Sequence, residues 1–214
     1  MRDNIQVEKL VLGQLESNCY LIYDRRKLST LIIDPADDAD FISGKIANLH
    51  LKPVQIIATH GHFDHILAAY ELQQAYKIPF SISHKDKFLV ERAAETAHYY
   101  LKQNIDFFKP KINQDLNQVK DINLADIKLT VFNTPGHTPG SICLYHKAKE
   151  WLFCGDTLFA DGGIGRTDFA YSSSDNLHHS IQSLLQLPGS TTLFPGHGRS
   201  STIKEELKFY RNAK

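Results

Sequence analysis

The chain has 214 residues, 42% hydrophobic and 22% charged, enough for one large or two small globular domains with a substantial core. Its 24 Lys and Arg balance its 24 Asp and Glu, so no global field draws it to nucleic acid or to an anionic membrane surface. Residues 1–6 carry an acid and polar groups where a secretion signal has an apolar run, and no stretch approaches the roughly 20 apolar residues of a membrane span. No nucleic-acid partner and no membrane are therefore expected. Cys19, Cys143 and Cys154 are odd in number and lie in apolar runs. They read as buried free thiols of a reducing compartment, which makes the cytoplasm the expected location.

In chain order, short apolar, partly β-branched runs predict strands over residues 7–12, 18–23 and 29–33, with 24–27 as the turn between the second and third. Residues 39–51 show helical spacing through Phe41, Ile42, Ile46 and Leu49. A buried strand over 54–58 follows, then a helix over 66–76 and a strand over 79–82. Residues 85–107 form a long, mostly polar helical stretch, expected to pack over a sheet or to act as a lid. Strands are predicted over 127–132, 141–145 and 151–154, and helices over 176–187 and 203–210. No fixed-period repeat, low-complexity tract or linker interrupts the chain, so one domain of mixed strands and helices fits.

The segment between a buried strand and a helix concentrates the chemistry. In Thr59-His60-Gly61-His62-Phe63-Asp64-His65, four potential metal ligands fall within six residues, and Gly61 lets the backbone fold them inward. His60 and His62, two apart in an extended loop, can point to one side, while Asp64 and His65 can face a second ion. Imidazole with carboxylate suits zinc, and also iron or manganese. The plainer reading is a polar turn with surface histidines. Three later residues weigh against it: His137 in a Pro-Gly-His-Thr-Pro-Gly turn, Asp156 just past an apolar run, and His197 directly after Leu193-Phe194-Pro195-Gly196. Each alone is a weak signal; together they form a set at strand ends.

Residues 59–65, 134–141, 155–159 and 195–198 match, in the same order, motifs of the metallo-β-lactamase superfamily. From about Asn18 to Gly198 the chain resembles its glyoxalase II-like branch. The resemblance implies an α+β fold, an αβ/βα sandwich of two mixed sheets flanked by helices, here as a single domain over 1–214. It implies His60, His62 and His137 on one divalent metal ion, Asp64, His65 and His197 on a second, and Asp156 bridging both, with zinc expected first. The implied activity is hydrolysis of a small-molecule substrate, a thioester such as S-lactoylglutathione or a related ester, by a metal-bridging hydroxide, with an unrelated ester or lactone as the second substrate class. Asp64 and Asp156 are the expected catalytic carboxylates.

Two features qualify that resemblance. Glyoxalase II enzymes continue into a helical domain that helps hold glutathione, whereas only 17 residues follow His197 here, so those contacts are not expected. Arg166 stands near the position of a substrate-binding lysine in glyoxalase II; it either grips a substrate carboxylate or pairs with Asp168 inside its loop. The Gly-Arg-Thr-Asp-Phe string at 165–169 is also similar to one in persulfide dioxygenases, which share the fold and use one iron. A mononuclear iron oxygenase is thus the alternative. His50, His84, His98, His146, His178 and His179 read as structural or solvated, and Tyr99 and Tyr100 as helix-packing residues rather than a pocket mouth.

Overall fold

The computed structural model describes residues 4–210, so residues 1–3 of the amino-terminal hexapeptide lie outside the described residues. Its first sheet runs β1 (Ile5–Leu12), β2 (Ser17–Asp24), β3 (Ser29–Ile33), β4 (Lys52–Ile57), β5 (Phe80–Ile82) and β6 (Ile112–Asp115), in that spatial order. The first three strands pair antiparallel, and β3 to β6 pair parallel. The second sheet is built from β7 (Asp121–Leu124), β8 (Ile127–Asn133), β9 (Ile142–His146), β10 (Trp151–Gly155), β11 (Thr192–Pro195) and β12 (Ser201–Thr202). Only β10 and β11 are parallel in it.

The strands read as unbroken apolar runs because both faces of each sheet are buried, and successive side chains serve different layers. On β2, Tyr20 and Ile22 face the layer between the sheets, while Cys19 and Leu21 face the helices. On β9, Ile142 and Leu144 face inward while Cys143 and Tyr145 face out. The central layer gathers Leu31, Ile33 and Ile57 from one sheet against Leu129 and Phe153 from the other. Over the outer face of the first sheet lie α1 (Ala39–Asn48), α2 (Ala69–Tyr76) and α4 (Ala93–Leu101), through Ile42, Ile46, Leu72 and Ala97. Over the second lie α5 (Ser174–Leu184) and α6 (Ile203–Tyr210), through Leu177, Ile181 and Ile203. Helix, sheet, sheet, helix is the expected αβ/βα sandwich. Each fully buried Leu or Ile contributes roughly 1.5–3 kcal/mol, so the strand ends that carry the site sit on the best-anchored part of the molecule. The three cysteines are buried free thiols. Among the described residues no helix is long and apolar enough to cross a membrane.

The structure departs from the sequence reading in three respects. The helix expected over 66–76 begins at Ala69; before it, Phe63–His65 form a 3-10 turn that aims Asp64 and His65 at the site. The long helix expected over 85–107 is broken into a 3-10 turn at His84–Asp86, α3 (Lys87–Glu91) and α4, and α4 stops where Lys102 turns left-handed (φ 56°). Of the two expected roles of that segment the packing one is seen, with Val90, Ala93 and Ala97 on the sheet, while Thr96, Tyr99 and Tyr100 line clefts. Strands β6, β7 and β12 were not foreseen. All three are short edge strands: β6 reads Ile-Asn-Gln-Asp and β12 has two residues, so neither carries the alternation that marks a strand, and in β7 the Asp-Ile-Asn-Leu alternation spans only four residues.

Candidate metal centre

The seven candidate ligands come from loops at strand ends. His60, Gly61 and His62 follow β4, with Asp64 and His65 in the 3-10 turn beyond; His137 follows β8, Asp156 follows β10 and His197 follows β11. Because β8 and β10 both run antiparallel to β9, and β11 runs parallel to β10, the last three emerge at one edge of the second sheet. Close approach is allowed there by glycine. A Cβ on Gly196 would land on Asp156 Oδ1, and one on Gly165 would land on the Asp156 carbonyl oxygen and crowd the His137 ring.

The donor atoms converge. His62 Nδ1 lies 3.1 Å from His60 Nε2 and 2.9 Å from His137 Nε2. His197 Nε2 lies 3.3 Å from Asp64 Oδ2 and 3.4 Å from His65 Nε2. Asp156 stands between the groups, with Oδ1 3.4 Å from His65 Nε2 and Oδ2 3.6 Å and 3.7 Å from His137 and His197. The sets His60, His62, His137 and Asp64, His65, His197 each hold their donor atoms within 4.8 Å of one another, as do His60, His65 and Asp156.

Each imidazole is fixed from behind by its other nitrogen. His137 Nδ1–H donates to the Arg166 carbonyl at 2.9 Å and His197 Nδ1–H to the Leu15 carbonyl at 3.0 Å. His65 Nδ1–H donates to Asp34 at 3.1 Å, His60 Nδ1 meets the Thr59 hydroxyl at 3.2 Å, and His62 Nε2 meets the Tyr171 hydroxyl at 2.8 Å. Partners of this kind set the tautomer and leave the opposite lone pair pointing at the centre, which is how metal-binding histidines are held.

Electrostatics agree with that donor set. Burial and the neighbouring imidazoles push His60 well below the ordinary histidine range and His62 down to about 3, so both are neutral donors. Burial opposes the charge on Asp64, but His65 and His197 outweigh it and hold this carboxyl ionised. Burial also opposes a proton on His65, yet Asp156, Asp64 and Asp34 raise it to about 10. The carboxylates thus demand positive charge at their centre. Asp156 Oδ1 is buried with no hydrogen-bond partner among the described residues, a costly state for a carboxylate oxygen unless a cation takes it. The neutral His60 and His62 imidazoles, the ionised Asp64 carboxylate and this unpartnered Asp156 oxygen fit divalent metal ions.

Three residues that sequence reasoning missed support the centre. Asp34 accepts from the Thr59 amide (2.6 Å), the Thr59 hydroxyl (2.7 Å) and His65. Asp86 accepts from the Gly61 amide (2.9 Å), the Thr138 hydroxyl (2.6 Å) and the Gly140 amide (2.7 Å), tying the first ligand loop to the His137 turn. Burial still raises its carboxyl, since these bonds do not fully offset desolvation. An acid directly after a buried strand, as in Ile33-Asp34-Pro35, was a usable signal for Asp34; Asp86, in a polar helical stretch, offered none. Tyr171 is the third.

A cleft of about 360 Å³ opens over Asp64, Asp156 and His197, walled by Tyr100, Phe159, Phe169 and Tyr171. Tyr100 therefore lines the pocket mouth, which corrects its reading as a packing residue; Tyr99 faces an adjoining cleft. Arg166 borders the cleft but its guanidinium is engaged inside the loop: Nε and Nη2 donate to Asp168 at 2.9 Å and 2.7 Å, and the group lies 4.7 Å from the Phe169 ring centroid.

The chain matches the family model of the metallo-β-lactamase superfamily over residues 12–197. It is 37% identical over 207 residues to the hydroxyacylglutathione hydrolase GloC of Haemophilus influenzae, spanning 95% of this chain and 96% of that one. Among solved structures it is similar to the BLEG-1 B3 metallo-β-lactamase, at 31% identity and a TM-score of 0.87 over 95% of this chain and 97% of that one. It is also similar to TTHA1623 in a di-iron-bound form, at 29% identity and a TM-score of 0.82 over 94% and 97%.

Proposed function

The chain belongs to the metallo-β-lactamase superfamily, and we propose that it is a metallo-hydrolase that cleaves a thioester, S-lactoylglutathione or a close relative, within one domain over 1–214. The observation that carries this reading is the convergence of imidazole and carboxylate donors into adjoining sets around Asp156, at the floor of a cleft large enough for a small molecule. The likeness to a hydroxyacylglutathione hydrolase supports the thioester.

In this reading His60, His62 and His137 would hold one divalent ion and Asp64, His65 and His197 a second, Asp156 would be a ligand shared by both, and zinc is the first candidate. Such a pair, when bound, supplies positive charge that acidifies a water and polarises a carbonyl. The protein's own groups do the rest. Asp64 borders the cleft and is steadied by the Ser17 hydroxyl, which donates to Oδ2 at 2.9 Å; it orients the attacking water. Phe159, Phe169 and Tyr171 wall the approach and limit bulk water. Water adds across the C–S bond, giving a carboxylic acid and a thiol. Because a thiolate leaves readily, no strong general acid is required, and none of the three buried cysteines need act as nucleophile.

Metal analysis of freshly purified protein, with assays on S-lactoylglutathione and on glutathione persulfide, tests the reading. Two metals per chain, thioester hydrolysis, and loss of activity on chelation with recovery on metal return are expected. One iron per chain, with oxygen consumed on the persulfide and no thioester cleaved, would overturn it in favour of the oxygenase.

A further inference from the structure

The cleft does not end at the metal centre. A second cleft of about 290 Å³, bordered by Leu89, Arg92, Glu95 and Tyr99, shares Thr96, Tyr100, Phe169 and Tyr171 with the first, so the two adjoin along these residues and are together called the groove. Its junction is an aromatic wall. Phe169 and Tyr171 stack with centroids 5.3 Å apart and planes 10° from parallel, and Phe88 braces Tyr171 edge-on at 5.3 Å. Tyr99 and Tyr100 meet edge to face at 5.1 Å, and Tyr99 is 65% exposed, so it has area to lose to a bound molecule.

The charge of the groove is equally specific. Among the described residues that line its two parts, the Arg and Lys side chains are Arg166 and Arg92, and each already faces an acid. Arg166 forms the two-pronged pair with Asp168, and Arg92 Nε donates to Glu95 at 3.3 Å. Glutathione carries two carboxylates and one ammonium, and its recognition calls for free cationic groups beside it. The groove lining presents aromatic faces and paired arginines instead, and Lys102 Nζ, outside that lining, lies over the Tyr99 ring at 4.5 Å from its centroid.

We propose that the groove binds a neutral, flat apolar group on the thiol half of the substrate, so that the enzyme prefers thioesters of aromatic or otherwise apolar uncharged thiols over those of glutathione. This rests on the thioester reading above, in which the acyl half is small and the thiol half must fill the groove. Tyr99, Phe169 and Tyr171 supply the contact surface, and the Asp168 and Glu95 carboxylates, by engaging Arg166 and Arg92, lower affinity for anionic thiols.

The test compares the metal-loaded enzyme on two lactoyl thioesters, of 2-naphthylmethanethiol and of glutathione, both alkyl thiols and so similar leaving groups. An uncleavable naphthylmethyl thioether serves as a binding probe by fluorescence. The naphthylmethyl thioester is expected to have a kcat/KM at least about tenfold higher, the scale of one or two aromatic contacts. Tyr99→Ala should remove about twofold to tenfold of that advantage, raising KM for the naphthylmethyl thioester more than for the glutathione thioester. Asp168→Asn should release Arg166 and shift preference towards the glutathione thioester by about threefold to fivefold, the scale of an exposed charge pair. Equal turnover of both thioesters, or a preference for glutathione that Asp168→Asn leaves unchanged, overturns the proposal while keeping the hydrolase. Tight, Tyr99-dependent binding of the thioether with no thioester cleaved supports the groove and sinks the hydrolase reading.

Discussion

Asp34 Oδ2 lies 3.1 Å from His65 Nδ1 and 2.7 Å from the Thr59 hydroxyl, while Oδ1 accepts from the Thr59 amide at 2.6 Å. One buried carboxylate thus orients a candidate ligand and shapes the loop that carries two more. Asp34→Ala would leave three buried donors without an acceptor. It should cost about 2–4 kcal/mol of stability, and metal affinity should fall roughly tenfold to a hundredfold, as losing an outer partner of a ligand histidine does. Denaturant midpoints of the metal-free protein and metal titrations measure the two effects separately. Unchanged metal affinity would show that Asp34 serves the fold alone.

Asp156 stands between the donor sets, with one oxygen facing His65 and the other His137 and His197. Asp156→Ala should deplete both ions and lower turnover by more than about a hundredfold, the upper end of what an outer partner's loss costs, with the core still folded. Near-full metal content and activity in this variant would sink the two-metal assignment.

His137 and His197 belong to different donor sets. His137→Ala should empty chiefly the first site and His197→Ala chiefly the second, read as metal per chain by elemental analysis after gel filtration. An unchanged metal content in His197→Ala would point to a mononuclear centre.

Arg166 is held by Asp168 in the structure, so Arg166→Ala should loosen the loop behind His137, whose Nδ1–H donates to the Arg166 carbonyl. Its effect is expected to be a few-fold and similar on matched substrates with and without a carboxylate. Lysine in its place should recover only part, because an ammonium cannot reproduce the two-pronged geometry. A loss confined to the acidic substrate, seen as a rise in KM at constant kcat, would restore the substrate-gripping role.

His146 is buried on β9 beside Trp151, and among the described residues neither ring nitrogen has a hydrogen-bond partner. Burial lowers its pKa. From about pH 6.5 downward the unfolded chain takes up a proton that the folded chain refuses, so stability falls with falling pH until the folded group also titrates. His146→Phe should flatten that slope without changing it above neutrality. Denaturant midpoints at pH 7.5 and pH 5.5, on metal-free wild type and variant, check this; parallel slopes would remove His146 as a contributor.

The seven candidate ligands were legible in the sequence because each sits where a buried strand gives way to a Gly- or Pro-containing turn, and that local chemistry is written in a few consecutive residues. Many of the strands were legible for a similar reason: burial on both faces leaves unbroken apolar runs, and those runs dominate β2, β3, β9 and β10, whereas the four-layer sandwich was implied by the resemblance of the ligand motifs to the superfamily. Tertiary structure decided what depends on partners far along the chain. Asp34 meets a histidine 31 residues away, Asp86 a threonine 52 away and Tyr171 a histidine 109 away. A carboxylate or phenol has no local signature for such a role: the parallel pairing of β3 with β4 brings Asp34 to His65, and the packing of one sheet against the other brings Asp86 and Tyr171 to their partners. Arg166 carried two readings in the sequence because an arginine two residues from an aspartate can turn either way. The Phe169 ring and the Asp168 carboxylate hold its guanidinium within the loop, and that choice belongs to the folded loop.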